Sequence, residues 1–292
     1  FCTAGDCALS ATHAPLALHP LPRRLSVILV LLAAGGVILW GGLGLPERAW
    51  AHPVPRAFTA EPLTETVESF IYLPLALSNY SLACEPIPDV RYAALSVDNP
   101  HNPDAENDPG YNLGLLGYEL TDAYRGLVDY GGDADPNAPQ FPALFSDQRV
   151  PNFPNVYRLY HGWGEPITDW PVTMLGMEVG EGEVLHVPES GYRIDPQGYQ
   201  VLVIYASEQR IAINYTRGDH LLGYTVYVEN VCVEPSLLEL YRQLDAAGRT
   251  ELPALYGSQP FGRATTTEIR VVIRDVGAAM DPRSRNDWWR GR

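Results

Sequence analysis

The chain predicts a mainly β protein, a sandwich or sheet-rich fold with one short helix in its C-terminal half, preceded by an N-terminal hydrophobic signal or anchor helix. Three observations carry this. Runs of β-branched and aromatic residues recur after residue 156, the clearest being Tyr199 to Ala206 (YQVLVIYA), and such side chains suit a pleated, half-buried surface. Clusters of Gly, Pro, Asn and Asp break up residues 90–155, the punctuation of short strands and turns. One later segment alone combines helical spacing with start and stop signals.

Residues 1–24 begin at Phe1 rather than Met and read as a leader with no assigned function. Residues 25–51 hold an apolar run, Leu25 to Leu45, between Arg23-Arg24 and Ala49-Trp50-Ala51. A basic flank, an apolar core and an A-x-A site make an export signal. The run is also long enough to span a bilayer, so a signal peptide and an uncleaved anchor both fit. Either way the rest of the chain is expected outside the cytoplasm, secreted or membrane-anchored by residues 25–45. Residues 52–80 are rich in Pro and read as a tether, with one apolar patch, Phe70-Ile71-Tyr72-Leu73-Pro74-Leu75. Residues 81–155 form a turn-rich β region with extended stretches at Arg91 to Val97 and Arg125 to Tyr130. Residues 156–292 form the β-rich C-terminal domain.

Within that domain Gln209 to Thr216 alternates, and Ser207-Glu208 turns it back on Tyr199 to Ala206 as a hairpin. Gly223 to Val233 and Glu268 to Arg274 are the third and fourth strands. The helix is expected over residues 237–247. Ser236-Leu237-Leu238-Glu239 reads as its capping box, Leu237, Leu240, Tyr241 and Leu244 share a face, and Gly248 is the stop.

Composition excludes several chemistries. All 20 basic residues are Arg, against 35 acids. Without lysine there is no Schiff-base chemistry, no pyridoxal phosphate attachment and no phosphate-loop lysine. Setting aside three Arg and two acids in the first 51 residues leaves a net charge of −16, which repels nucleic acid. Cys2 and Cys7 lie in the leader. Cys84 and Cys232 remain as one candidate disulfide, closing a loop of about 149 residues in an oxidising compartment, or as two buried thiols.

Asp133, Asp135 and Asn137 place side-chain oxygens at alternate positions and are candidate calcium ligands, or an ordinary turn. No other cofactor is implied. Five histidines follow the leader, and none has HxH or HExxH spacing. A metal site would have to gather His161, Asp169, His186 and His220 from separate loops. No GxSxG nucleophile elbow occurs. Arg217-Gly218-Asp219 falls at an expected hairpin tip and spells an adhesion tripeptide. At the end of the chain Trp288 and Trp289, beside Arg283 and Arg285, form either a stacking surface for sugar or protein, or a cap on the core.

The stretches Gly126 to Phe145, Ile204 to Glu229 and Asp275 to Trp289 resemble an uncharacterised family of exported bacterial proteins, which brings no activity with it. The C-terminal half also resembles a degenerate lysostaphin-type zinc peptidase domain, through Gln259-Pro260-Phe261-Gly262, the strand Glu268 to Arg274, Gly277 and Asp281-Pro282. In that family the strand carries HxH. Here those positions are Glu268 and Arg270, and a protonated guanidinium has no lone pair for zinc. The resemblance therefore implies a metal-free, inactive copy.

These readings point to an exported, non-catalytic cell-envelope binding or structural protein. Its expected partner is cell-wall glycan or an envelope protein, and it meets the membrane only through its N-terminal segment. The alternatives are an envelope hydrolase of metallopeptidase type, using the histidine set or an acid pair such as Asp133 and Asp135, and a calcium-stabilised surface domain.

Overall fold

The computed structural model describes residues 85–97, 104–162, 164–216 and 223–292. The signal or anchor segment, the tether, Cys84, His101, His220 and Arg217-Gly218-Asp219 lie outside the described residues. The chain divides at Ile71–Tyr72 into two units, and every described residue belongs to the second.

The fold is mainly β. Its strands are β1 (Ala93–Ser96), β2 (Tyr118–Leu120), β3 (Val156–Leu159), β4 (Met174–Glu178), β5 (Val184–His186), β6 (Val201–Ala206), β7 (Arg210–Thr216), β8 (Gly223–Glu229), β9 (Val231–Val233), β10 (Glu251–Leu255), β11 (Pro260–Ala264), β12 (Glu268–Asp275) and β13 (Ala278–Ala279). Helix α1 (Pro235–Ala246) and the single turn α2 (Arg285–Trp288) complete the regular elements used below. Among the described residues no helix is long and apolar enough to cross a membrane.

The large antiparallel sheet runs β1-β10-β6-β7-β8-β12-β4-β3-β2, with β13 paired to β12, and the small sheet runs β5-β11-β9. The expected hairpin forms β6 and β7, and the expected fourth strand is β12. The expected third strand divides. Asn230 adopts φ 60°, so Gly223–Glu229 stays in the large sheet while Val231–Val233 crosses to the small one. The stretch Arg125 to Tyr130 makes only an isolated bridge, Val128 to Ser284. The boundary read at residue 155 separates β2 from β3, which are hydrogen-bonded neighbours.

Alternation builds the core. Ile211, Ile213 and Tyr215 of β7, Tyr224, Val226 and Val228 of β8, and Ile269, Val271 and Ile273 of β12 share one cluster. Leu185, Val187, Val231, Val233 and Phe261, on or beside the small sheet, join the same cluster, as do Phe141, Leu144, Trp288 and Trp289. Both sheets thus bury one continuous apolar layer, because side chains two apart on a strand point the same way. Gly262 is needed there: a Cβ would lie 2.4 Å from the Cys232 carbonyl oxygen.

The opposite face of the large sheet is mixed. Across β7, β8 and β12 it shows three registered rows: Arg210–Glu229–Arg270, Ala212–Tyr227–Val272 and Asn214–Thr225–Arg274. A strap of residues 104–116 sits on the middle, apolar row. Its Ala105, Leu113 and Leu116 pack with Ala212, Tyr227 and Val272, and the Gly110 carbonyl accepts from the Tyr227 hydroxyl at 2.5 Å.

Helix α1 starts earlier than its capping box implied. Glu234, not Ser236, is the N-cap, accepting from the amides of Ser236 (2.8 Å) and Leu237 (3.0 Å). Glu239 instead accepts from Gln243 at 2.8 Å along the helix surface. A carboxylate near the positive end of the helix is favoured over a neutral hydroxyl. At the other end Gly248 (φ 95°) reaches the Asp245 carbonyl and Arg249 the Leu244 carbonyl, a Schellman closure. Arg249 then turns wholly inward, bonding Asp245 at 2.6 Å, the Tyr241 hydroxyl at 3.0 Å and the Ile204 carbonyl at 2.6 Å.

Candidate functional site

The polar row Arg210–Glu229–Arg270 lies beside the strap and opens as a cleft of about 90 Å³, bordered by Gly114, Tyr118, Gln209 and Asn230. Three strands deliver its charges because their register places Glu229 opposite both arginines. Arg210 Nε meets Glu229 Oε1 at 2.8 Å. Arg270 lies 3.9 Å from Glu229 Oε2 and 3.4 Å from Glu268 Oε1, and donates to the Tyr118 hydroxyl at 2.5 Å. Its guanidinium carbon lies 5.1 and 5.4 Å from the centroids of the Tyr118 and Tyr157 rings, within cation–π range of both. Glu268 accepts from Tyr157 (2.7 Å) and Asn155 (2.5 Å). Burial, then the bond to Glu268, raises the Tyr157 phenol above its usual value, so it remains a protonated donor at neutral pH. Gly114 keeps the rim open, since a Cβ there would come within 2.7 Å of the Arg210 guanidinium.

Arg210 and Gln209 also border a wider groove of about 410 Å³ between the β6–β7 hairpin and α1, with Glu106, Glu208, Tyr241 and Arg242 on its walls. Cleft and groove together offer guanidinium, carboxylate, amide and phenol groups held in place by one another, with Tyr118 still 37% exposed. Such a lining can hydrogen-bond a polyhydroxylated ligand and offer it an aromatic face.

The C-terminal candidates lie elsewhere. Trp288 and Trp289 are 1% and 0% exposed, packed on Tyr224, Phe141 and Phe153. Their indole N–H groups donate to the carbonyls of Asp281 and Pro282, each at 2.9 Å. Of the two readings of this pair, the geometry is that of the core cap: no ring face is left for a sugar. Arg283 is buried on Asp281, with Nη2 to Oδ2 at 2.6 Å, while Arg285 reaches Asp129 at 3.0 Å near the surface. The Asp281 carboxylate also accepts from Tyr130 at 2.7 Å, and burial together with that bond pushes the Tyr130 phenol up to about 12.

Asp133 is exposed. Asp135 turns inward: Oδ2 accepts from Tyr192 (2.7 Å) and Tyr224 (3.0 Å), and Oδ1 from the Asn137 amide (2.8 Å). The Asn137 side chain packs where a Cβ on Gly191 would stand. Among the described residues no three His, Cys, Asp or Glu side chains gather as metal ligands. Of the proposed histidine set, His186 lies on β5, while His161 and Asp169 lie in loops between β3 and β4. Of the two positions singled out by the peptidase resemblance, Arg270 lines the cleft, and Glu268 pairs with it at 3.4 Å.

Burial holds the half-buried His186 imidazole below its usual 6.5. A neutral histidine of this kind contributes its full stability above pH 6.5 and loses it as pH falls, because the unfolded chain takes up the proton first. His186→Gln should therefore flatten the acid limb of the stability profile. Urea unfolding at pH 5 and pH 7 checks this: equal loss in both proteins would exclude His186 as the sensor.

Sequence reasoning reached Asp133, Asp135 and the tryptophans but not the cleft. Its signal was present as Arg210, Glu229 and Arg270 at sheet-facing positions of otherwise apolar strands, yet only the register joins them. Comparison with known proteins finds no matching family model, no similar curated protein and no similar solved structure.

Proposed function

We propose that the protein is an exported, non-catalytic module of the cell envelope that binds cell-wall glycan in the cleft and groove flanking Arg210. The observation that carries this is the preformed lining of Arg210, Glu229, Arg270 and Tyr118, whose donors and acceptors are already oriented, so little order has to be imposed on binding. The export reading rests on Leu25 to Ala51. The test is co-sedimentation of the full chain with purified cell-wall glycan. The wild type should be retained, and Arg210→Ala should weaken retention by about tenfold, the worth of a charge-assisted hydrogen bond. No retention of the wild type would refute the proposal. New reducing ends or free amino groups released from the wall would favour the hydrolase alternative. A rise in melting temperature from chelator to millimolar calcium would favour the calcium-stabilised domain.

The same reading includes the disulfide between Cys84 and Cys232. Cys232 is buried on β9, and its register partner Arg263 donates to the Glu85 carbonyl at 3.0 Å. The backbone next to Cys84 thus runs alongside the strand that neighbours Cys232. Cys232→Ser should lower stability by about 2–4 kcal/mol, and reductant should lower the wild type to match. Equal stability of the wild type with and without reductant would exclude the bond.

A further inference from the structure

Strand β10 joins β1 to the rest of the large sheet, and it pairs with β6 at two registered positions, Ala254 with Leu202 and Leu255 with Val201. Tyr199 lies shortly before β6 and Tyr256 directly after β10, so antiparallel pairing brings both to the same end of that contact. Their rings stack, with centroids 4.1 Å apart and planes 21° from parallel. Hydrogen bonding to Tyr256, then burial and the charges of Tyr256 and Asp195, raises the Tyr199 phenol above its usual value. The two hydroxyls therefore meet at one end of the stack. Rings stacked in the same direction at this distance set the carbons ortho to those hydroxyls against one another.

The other described tyrosine pairs differ in form. Tyr118 with Tyr157 and Tyr205 with Tyr241 meet edge to face, at 79° and 70°. Tyr192 and Tyr224 share the Asp135 carboxylate, but their centroids are 6.5 Å apart at 53° and Tyr224 is 5% exposed. In the stacked pair Tyr256 is 40% exposed and Tyr199 9%. An oxidant in solution thus reaches one ring directly and the second through its neighbour. Tyr256 also opens a turn, its carbonyl accepting from the Gln259 amide at 3.3 Å, and a turn can yield as two rings tilt from a stack into a bond.

We propose that Tyr199 and Tyr256 are a site of oxidative cross-linking, joined by a carbon–carbon bond between the ring positions ortho to their hydroxyls. The oxidant is a one-electron acceptor of the ferryl-haem class, a peroxidase supplied with hydrogen peroxide. Each phenol gives up one electron and one proton, and the two radicals couple at their ortho carbons. Each of those carbons then passes its hydrogen, as a proton, to its own ring oxygen, which restores both aromatic rings. One peroxide takes up the two electrons and two protons and leaves as two waters. The new bond fastens β10 to β6 at the end of their short pairing and closes the chain between them into a loop. The inference does not depend on glycan binding.

The test is oxidation of the dilute full chain by hydrogen peroxide and a haem peroxidase, with N-acetyltyrosine as the positive control for coupling. Proteolysis and mass spectrometry then map the products. The peptides holding Tyr199 and Tyr256 should be recovered joined, lighter than their sum by two hydrogens. The parent chain should run as a monomer on a denaturing gel and show the blue fluorescence of a biphenol. Tyr256→Phe, which keeps the ring and loses the hydroxyl, should abolish the joined peptide; Tyr199→Phe should do the same and serves if the first variant fails to fold. Tyr124→Phe, at a tyrosine that is 70% exposed, should leave the yield unchanged. No joined peptide while N-acetyltyrosine couples, joining at another pair instead, or an undiminished fluorescent monomer in Tyr256→Phe would overturn the proposal.

Discussion

Trp289→Ala should destabilise the protein by about 3–5 kcal/mol, the usual cost of emptying a buried indole site. Trp289 is fully buried, packs on Phe141 at 5.6 Å and Phe153 at 5.6 Å, and ties its N–H to the Pro282 carbonyl. Its site cannot collapse easily, because Trp288 and Phe141 border it from the same apolar layer. For a domain of marginal net stability, such a loss removes much of what holds the native state. Removing residues 285–292 should have at least the same effect, since both indoles go together. Chemical denaturation of wild type and variant checks the first value. A loss below about 1 kcal/mol would mean that the ring is not a core element and would reopen the stacking surface read from the sequence.

Asp281→Ala should cost about as much, 3–5 kcal/mol, through a different mechanism. The variant leaves Arg283, 2% exposed, with no opposing charge, and deprives the Tyr130 hydroxyl of its acceptor. Removing both partners should be milder than removing one: Asp281→Ala with Arg283→Met should recover part of the loss, because the stranded guanidinium causes most of it. A double-mutant cycle under denaturant checks this. Additive losses would show that the pair is not coupled, against the 2.6 Å geometry. At pH 7 Tyr130→Phe should be milder still, because its phenol is pushed up to about 12 and stays neutral.

The two cases show what was legible in the residues. The hairpin of β6 and β7 was legible because alternation and a short turn are local, and helix α1 because its apolar spacing and Gly248 are local. Its first turn misled because Ser236 has the usual form of a cap, while Glu234, two residues earlier, wins the amides with a full negative charge. The break at Asn230 was not visible, because Val231 to Val233 is as apolar and branched as the strand before it. Only the competition between two sheets for those residues divides them.

Sequence by itself determined the mainly β class, the one substantial helix, the lysine-free chemistry and the acidic balance, all of which depend on residue identity and short-range spacing. Tertiary structure alone decided that Trp288 and Trp289 close the core, and that Arg210, Glu229 and Arg270 meet at one cleft. It also decided that Arg274 is buried. The tryptophans depend on how the C-terminal turn α2 docks on the core, and the arginines and Glu229 on strand register between residues tens of positions apart. A shift of one residue in that register would send Arg210, Glu229, Arg270 and Arg274 to the other face of the sheet.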